Sequence, residues 1–147
     1  MTEDQKKRLA KLKEKNRSFV LEQRRKQNAL LQECLSSLGS LCRVVDLDTE
    51  HKCEAVVNSI YLCGLNPCQE IATFDEMPDA WIGEMVYVVW DEMTLPILHC
   101  GFDAIKESIY DVLAVNFETW FISEHMDKVI CVNNNGKIEL FCLQNGE

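Results

Sequence analysis

Residues 81–122 change their hydrophobic period twice, and this constrains the fold more than any other stretch of the sequence. Residues 83–90 are rich in Val, Tyr and Trp and predict a β-strand, and residues 95–100 form a second short apolar run. The apolar residues between 102 and 113 are spaced instead for one face of a helix, and residues 117–122 return to the composition of a strand. A hairpin, a covering helix and a returning strand form the smallest unit of this chain that can bury a hydrophobic core.

The N-terminal part of the chain predicts one long helix, from residue 2 to about residue 37. Neither Gly nor Pro occurs before Gly39, which is well placed to end this helix. The first half of the helix consists mostly of Lys, Arg and Glu, so we expect that half to fray or to project into solvent. The sequence therefore divides into a basic N-terminal helix, residues 1–38, and an acidic domain, residues 39–147.

The acidic domain begins with residues 41–47, which fit either an edge strand or a connector. A second helix is predicted from an N-cap at Asp48 or Thr49 to about Cys63. The chain closes with two strands joined by the Asn-Gly turn of residues 133–136, a strong hairpin signal. This order predicts an α+β fold: the long helix and the second helix, then a mainly antiparallel sheet of about five strands with one inserted helix, covered on one face.

Charge is unevenly distributed along the chain. Residues 1–33 contain ten Lys/Arg and five Asp/Glu, a net charge of +5, whereas residues 34–147 contain five Lys/Arg and nineteen Asp/Glu, a net charge of −14. A body this acidic repels nucleic acid and attracts basic partners, although a charge that serves only solubility explains the composition equally well. The basic helix could itself contact nucleic acid, but its interspersed Glu residues favour a solvated or self-associating helix. The candidate contacts of such an arm are Lys6, Lys7, Arg8, Lys11, Lys13, Arg24, Arg25 and Lys26.

Eight cysteines raise the question of disulfide bonds. The N-terminus lacks the apolar segment of a secretory signal, and no run approaches the roughly 18 apolar residues that a membrane span needs. We therefore expect a cytoplasmic protein with free thiols. Most cysteines, such as Cys100, Cys131 and Cys142, lie in apolar runs, where we expect them to behave as small buried hydrophobic residues.

A zinc site is the first chemical alternative for these cysteines. Cys63 and Cys68 flank Gly-Leu-Asn-Pro, and Cys53 and His51 precede them, but no second closely spaced pair completes a zinc ligand set. A redox dithiol or a catalytic cysteine is disfavoured because the sequence has neither a Cys-x-x-Cys motif nor a nucleophile elbow. We expect no metal, no cofactor and no enzymatic activity.

Two acidic turns, which flank the first strand of the central unit, are the candidate partner-binding sites. Neither turn contains a His or Lys to complete a catalytic constellation. A solvated turn is the simplest interpretation, a binding patch for a basic partner comes next, and catalysis comes last. The candidate contacts are Asp75, Glu76 and Asp79 in the first turn and Asp91 and Glu92 in the second.

The large aromatic residues are the other candidates for partner contacts. We expect Trp81, Trp90, Trp120, Tyr87 and Tyr110 to be buried or half-buried. An aromatic side chain exposed among the acids would be a natural hot spot for binding.

The strings FDEMPDAWIGEMVYVVWDEMTLPILHC, DVLAVNFETWFIS and VNNNGKIEL together resemble a known family. The resemblance is to the small cytoplasmic immunity proteins of bacterial contact-dependent growth inhibition and related polymorphic toxin systems, and it covers roughly residues 71–141. It implies a non-catalytic protein that binds one cognate toxin C-terminal domain, often a nuclease, and blocks its active site or substrate-binding surface. An acidic body suits the basic, phosphate-binding groove of such a toxin.

The leading interpretation is therefore an immunity protein that neutralises a basic toxin domain by direct binding, without contacts to nucleic acid or membrane. The alternative is an adaptor or self-associating regulator, such as a homodimer, that uses the N-terminal helix as a coiled coil or a nucleic-acid arm. Deletion of residues 1–33 separates the two hypotheses, because only the adaptor should lose its oligomeric state or its nucleic-acid binding.

Overall fold

A computed structural model describes residues 2–39, 42–90 and 95–143, without the side chains of residues 19–21, 23 and 24. The chain order of the elements is helix, strand, helix, then a sheet with two short helices inserted. Their bounds are α1 (Glu3–Leu38), β1 (Arg43–Val44), α2 (Leu47–Cys63), β2 (Gln69–Ile71), β3 (Met85–Trp90), β4 (Leu98–Gly101), α3 (Phe102–Glu107), α4 (Ile109–Leu113), β5 (Thr119–Ser123), β6 (Lys128–Val132) and β7 (Ile138–Cys142).

The strands form one antiparallel sheet in the order β1-β4-β3-β5-β6-β7-β2, which confirms the α+β class. The described residues form seven strands, not the predicted five. The two additional strands are the edges: β1, which the sequence left open, and β2, which was not predicted. Both are two or three residues long, and strands this short carry no alternating pattern from which they could be recognised.

Both faces of the sheet are covered, so the prediction of cover on one face is wrong. Along β3, Val86 and Val88 belong to a core cluster that includes α1, α3 and α4, whereas Val89 belongs to a second cluster that includes α2. We call these the α1 face and the α2 face of the sheet. All five residues of β5 are buried. Its three central residues, 120–122, are all apolar with no polar alternation, which is typical of a strand buried on both faces.

Helix α1 divides into an exposed and a buried part. It begins at Thr2 with a capping box and ends at Gly39, whose φ of 78° requires glycine, as predicted. Residues 2–18, which we call the N-terminal arm, are exposed, whereas Leu31 and Leu38 are buried on the α1 face of the sheet. Although α1 has 36 residues, neither it nor another described helix is long and apolar enough to cross a membrane.

Helix α2 begins two or three residues earlier than predicted. Its N-cap is Asp46, whose Oδ1 accepts a hydrogen bond of 2.8 Å from the backbone N–H of Thr49. This bond stabilises the charged form and lowers the pKa of the Asp46 carboxyl group. The helix ends at Cys63, as predicted, because Gly64 adopts the left-handed conformation at a φ of 59°. The spacing of the helix's apolar residues predicts an inward face of Cys53, Val56, Val57, Ile60 and Tyr61; Cys53, Val57 and Ile60 are buried, whereas Tyr61 is exposed.

The single inserted helix predicted for residues 102–113 consists of two short helices, α3 and α4. The break is at Ser108, where φ is −111° and ψ is 26°. The helical face itself was predicted correctly, since Phe102, Ile105 and Val112 are all buried. The 3.6-residue period of the apolar residues continues through residue 108, so the sequence pattern does not indicate the break.

Two leucines in the same helix provide a test of how α1 divides. We expect Leu38→Ala, at a side chain that is 5% exposed, to lower the free energy of unfolding by about 2–5 kcal/mol, because it leaves a cavity in the core. The matched variant Leu12→Ala, at a side chain that is 57% exposed, should change it by less than about 0.5 kcal/mol. Urea denaturation of both variants measures the difference, and equal losses would show that the arm is packed against the body.

Candidate functional site

The first predicted acidic turn is a loop that crosses the α1 face before β3 begins. We call residues 72–84 the acidic loop. Two 3₁₀ turns, Phe74–Glu76 and Asp79–Trp81, shape it. Phe74, Met77 and Trp81 are buried in the core, and the ring of Phe74 packs edge-on against that of Phe121 at 5.9 Å. Because the apolar side chains hold the loop from beneath, the acidic ones between them face solvent.

The structure brings together three of the five predicted contact residues. Asp75, Glu76 and Asp79 lie on this one loop, and all three are exposed. The Oε2 atom of Glu76 accepts a 2.7 Å hydrogen bond from the backbone N–H of Ala72, so this carboxylate also stabilises the loop. The side-chain carboxylates of Asp75 and Asp79 make no hydrogen bond or ion pair with a residue in the described ranges.

The second predicted turn lies outside the described residues. Asp91 and Glu92 directly follow the last residue of β3, Trp90, in the chain. The acidic loop leads into the opposite, N-terminal end of the same strand.

Lys128, the first residue of β6, holds the acidic loop to the sheet. Its Nζ donates a 2.9 Å hydrogen bond to the carbonyl oxygen of Ala80 and lies 3.5 Å from the Glu84 carboxylate. The same ammonium group lies over the ring of Trp81, 4.9 Å from the centroid. One half-buried cation is therefore positioned by a carbonyl, a carboxylate and an aromatic face.

Other carboxylates surround this end of the sheet, where β3 begins and β4 and β5 end. Asp103 accepts a 3.2 Å hydrogen bond from the backbone N–H of Gly83. Glu124 is joined to the start of β3 by its backbone N–H, which donates to the carbonyl oxygen of Met85 at 3.1 Å. We call this region the acidic edge; its members are Asp79, Glu84, Asp103, Glu124 and Asp127.

Asp127 shows how the acidic edge is stabilised from within. The hydroxyl group of the buried Ser123 donates a 2.7 Å hydrogen bond to its carboxylate, which lowers the pKa of Asp127. The backbone N–H groups of Asp127 and Lys128 in turn donate to the Ser123 oxygen. No local pattern in the sequence indicates that residues as far apart as Ala80 and Lys128 meet, because antiparallel pairing across β3, β5 and β6 brings them together.

A groove of about 680 Å³ lies at the opposite end of the sheet from the acidic edge, where β5 begins and β6 ends. It is lined by α1, the α4–β5 connection and the β6–β7 turn. The Nε2 atom of Gln27 donates to the carbonyl oxygen of Val115 at 3.2 Å and closes one wall. Phe117, at the rim, is 84% exposed. The sequence predicted this residue as the start of a strand, but β5 begins at Thr119.

The predicted burial of the aromatic residues is correct for all but one. Trp81, Trp90 and Trp120 are buried and Tyr87 is half-buried, whereas Tyr110 is 86% exposed. Tyr110 and Phe117 are the most exposed aromatic residues in the described ranges, and a carboxylate, Asp111 or Glu118, directly follows each in the chain. Tyr61 is also exposed, and its hydroxyl group donates a hydrogen bond to the Glu118 carboxylate. The exposure of Tyr110 and Phe117 depends on the break in the inserted helix and on the late start of β5, which the sequence pattern did not indicate.

The cysteines divide between the core and the sheet edges. Cys34, Cys53, Cys100 and Cys131 are buried, and burial raises the pKa of Cys34 to about 11 and of Cys53 to about 12. Cys142 was predicted to be buried but is exposed. Its sulfur atom lies 3.2 Å from the sulfur atom of Cys68. Within the described ranges, no group of three or more Cys, His, Asp or Glu side chains is arranged to hold a metal ion.

Comparison with known proteins identifies the family. A family model described as CdiI immunity protein, EcoliA0-like, matches residues 28–141. The chain belongs to this CdiI family. The match begins just before Leu31, the first buried residue among the described side chains of α1, and ends at Phe141 in β7, so that the N-terminal arm lies outside it. A search among curated proteins finds no match.

Membership of the CdiI family confirms the resemblance seen in the sequence. The chain is a toxin-neutralising immunity protein of a contact-dependent growth inhibition system, and its family implies that it binds a cognate toxin. Such immunity proteins are generally non-enzymatic. The site to look for in a CdiI protein is therefore a surface for a protein partner.

Two lysines that both pair with glutamate test how the acidic loop is held. We expect Lys128→Met to lower the free energy of unfolding by about 1–2 kcal/mol, because the Ala80 carbonyl and the Glu84 carboxylate lose their shared cation. Lys137→Met breaks only the exposed pair with Glu70, at 3.4 Å, and should cost under about 0.5 kcal/mol. Chemical denaturation compares the variants; the interpretation of Lys128 is wrong if the two losses are equal.

Proposed function

We propose that this CdiI family member neutralises a basic, nuclease-type toxin domain by covering its active or substrate-binding surface with the acidic loop. The observation that carries the proposal is the net charge of −14 over residues 34–147, together with exposed carboxylates that are not paired within the described fold. Asp75 and Asp79 are the leading contacts, and Glu76 contributes charge from the same loop. Asp91 and Glu92 are proposed from their place in the sequence.

The physical argument begins with the toxin's substrate. A domain that cleaves RNA or DNA binds phosphates through Lys and Arg side chains. Asp75 and Asp79 are held on a loop that Lys128 and three buried apolar residues fix to the sheet, so little conformational entropy is lost when they meet such a surface. Unpaired carboxylates attract the partner over several ångströms and speed its capture, and buried contacts then set the rate of release.

The exposed aromatic residues suit the second part of that task. Tyr110 and Phe117 are mostly exposed, and rigid aromatic side chains supply most of the energy at many protein interfaces. In this proposal the carboxylates guide the toxin, and an aromatic anchor slows its dissociation. The cytoplasm of a toxin-producing cell is the compartment in which such capture is needed.

The N-terminal arm favours a second candidate function, self-association or an adaptor role. Residues 2–18 are exposed, and this part of a basic helix lies outside the family match. Leu9 and Leu12, three residues apart and both substantially exposed, could pair with a second helix. No direct role for nucleic acid or membrane is part of the leading proposal.

Charge reversal in the acidic loop tests the leading proposal. The partner is the C-terminal domain encoded by the upstream neighbouring gene, co-expressed and purified with this protein. We expect Asp75→Lys with Asp79→Lys to slow association at low salt by roughly tenfold, because steering is lost, and to leave the free energy of unfolding nearly unchanged. Stopped-flow association rates at low and high salt measure this effect.

A matched pair of substitutions controls for net charge. Glu50→Lys with Glu54→Lys has the same spacing and the same change in charge, but it lies on α2, which covers the opposite face of the sheet. It should slow association far less than the loop variant does. Equal slowing by both variants would mean that overall charge acts without a particular surface, and an unchanged rate in the loop variant would contradict the proposal.

Removal of the N-terminal arm separates the two candidate functions. Deletion should stop at residue 18, because Leu31 and Leu38 are buried and the deletion of residues 1–33 considered from sequence would damage the core. We expect the shortened protein to keep its fold and its one-to-one complex with the toxin domain. Light scattering coupled to size-exclusion chromatography measures both states; loss of an oligomer on deletion would favour the adaptor function instead.

A further inference from the structure

The two edge strands of the sheet share an arrangement of thiols. Cys68 immediately precedes β2, and its sulfur lies 3.2 Å from that of Cys142 on β7. Cys42 immediately precedes β1, and its thiol is hydrogen-bonded to that of Cys100 on β4. A thiol pair therefore lies immediately before the first residue of each edge strand and connects it to the neighbouring strand. The pairs differ in access, since Cys100 is buried whereas Cys68 and Cys142 are both exposed.

The backbone on both sides of the exposed pair is already held in place. The N–H group of Cys68 donates a 2.8 Å hydrogen bond to the carbonyl oxygen of Leu140, which extends the β2–β7 ladder by one residue. Cys142 is paired with Lys128 across β6 and β7. The N–H group of the next residue, Leu143, donates a 2.8 Å hydrogen bond to the backbone carbonyl oxygen of Asp127. A disulfide bond is about 2.05 Å long, so the two sulfur atoms need to approach by only about 1 Å, a distance that side-chain rotation can supply.

We propose that Cys68 and Cys142 form a reversible disulfide bond that locks the edge strand β2 onto β7. The oxidant is a small-molecule disulfide such as oxidised glutathione. The thiolate of one cysteine attacks a sulfur of that disulfide, which forms a mixed disulfide and releases one glutathione thiolate. The thiolate of the second cysteine then attacks the protein-bound sulfur, which forms the Cys68–Cys142 bond and releases the second glutathione thiolate.

The reaction is balanced in electrons and protons. Two electrons pass from the two protein thiols to oxidised glutathione, and the released glutathione thiolates take up the two protons. Because the thiolate is the attacking species, the rate rises with pH. The hydrogen bond with Cys68 raises the pKa of the Cys142 thiol. This shared hydrogen bond keeps the two sulfur atoms together in the reduced protein.

The position of the bond gives it a structural consequence. The edge strand β2 has three residues and pairs with β7 alone, so it is among the easiest strands of the sheet to detach. The acidic loop follows β2 directly in the chain. A disulfide at the start of β2 closes the chain from residue 68 to residue 142, which restricts the unfolded state and fixes the strand from which the acidic loop departs.

Oxidation of the full chain with glutathione disulfide tests this inference. After quenching with an alkylating agent, the oxidised protein should carry two fewer alkyl groups than a reduced control treated in the same way, and non-reducing peptide mapping should yield one linked peptide pair that contains Cys68 and Cys142. The thermal midpoint of unfolding should rise by roughly 5–15 °C and return on addition of dithiothreitol. The bond should form faster at mildly alkaline pH than at neutral pH.

Three single substitutions make the result specific. Cys68→Ser and Cys142→Ser should each abolish the linked pair and leave the remaining thiol to accumulate a glutathione adduct. Cys63→Ser removes the other exposed thiol, at the end of α2, and should leave the linked pair intact. The inference is overturned if the native chain yields only glutathione adducts at Cys68 and Cys142, or if Cys63 is the partner in the bond. It does not depend on the identity of the toxin, so it can fail while the proposed function stands.

Discussion

The structure depends on β5 being buried on both faces. Phe121 of β5 faces the α1 side of the sheet, and Trp120 and Ile122 face the α2 side. Each large apolar side chain that is removed from water contributes about 1.5–3 kcal/mol, so neither layer of helices can be lost without exposing half of this strand. Because both faces of the sheet are covered, most of the charged residues lie in the loops and on the outer sides of the helices. The acidic surface is therefore a consequence of the three-layer packing as well as of composition.

The acidic loop exposes several carboxylates and is nevertheless held firmly to the sheet. Three apolar side chains anchor the loop in the α1 face, and the half-buried Lys128 offsets the nearest carboxylate, Glu84. Asp127 is stabilised by a hydrogen bond from Ser123, which leaves it ionised at neutral pH. Carboxylates that support the fold are thus paired, whereas Asp75 and Asp79 have no partner within the described fold. The loop is therefore held by its paired carboxylates and apolar side chains, while its unpaired carboxylates face solvent.

The sequence predicted the elements that have a strong local signal. Thirty-six residues without Gly or Pro predicted α1, Gly39 its end, and the Asn-Gly turn the final hairpin, and each is where it was expected. What it could not predict depends on tertiary contacts. The edge strand β2 is defined only by its pairing with β7, the break at Ser108 interrupts an apolar period that continues through it, and the exposure of Phe117 follows from where β5 starts. The acidic edge likewise joins residues that are distant in the chain.

The boundary of the family match has a physical explanation. Residues 28–141 include the buried end of α1 and the described strands of the sheet up to Phe141 in β7, which are the parts that the core requires. The N-terminal arm makes no contribution to that core, so its sequence is limited only by helix formation and by whatever it meets in solution. Helix α1 is continuous, and its Gln27 contacts Val115 and Asn116 near the start of β5, at the opposite end of the sheet from the acidic edge, so the arm's positive charge lies away from the acidic loop. The arm and the loop are therefore separate surfaces, and a basic toxin domain of the kind proposed would be attracted by the loop and repelled by the arm, which would restrict the orientations in which it binds.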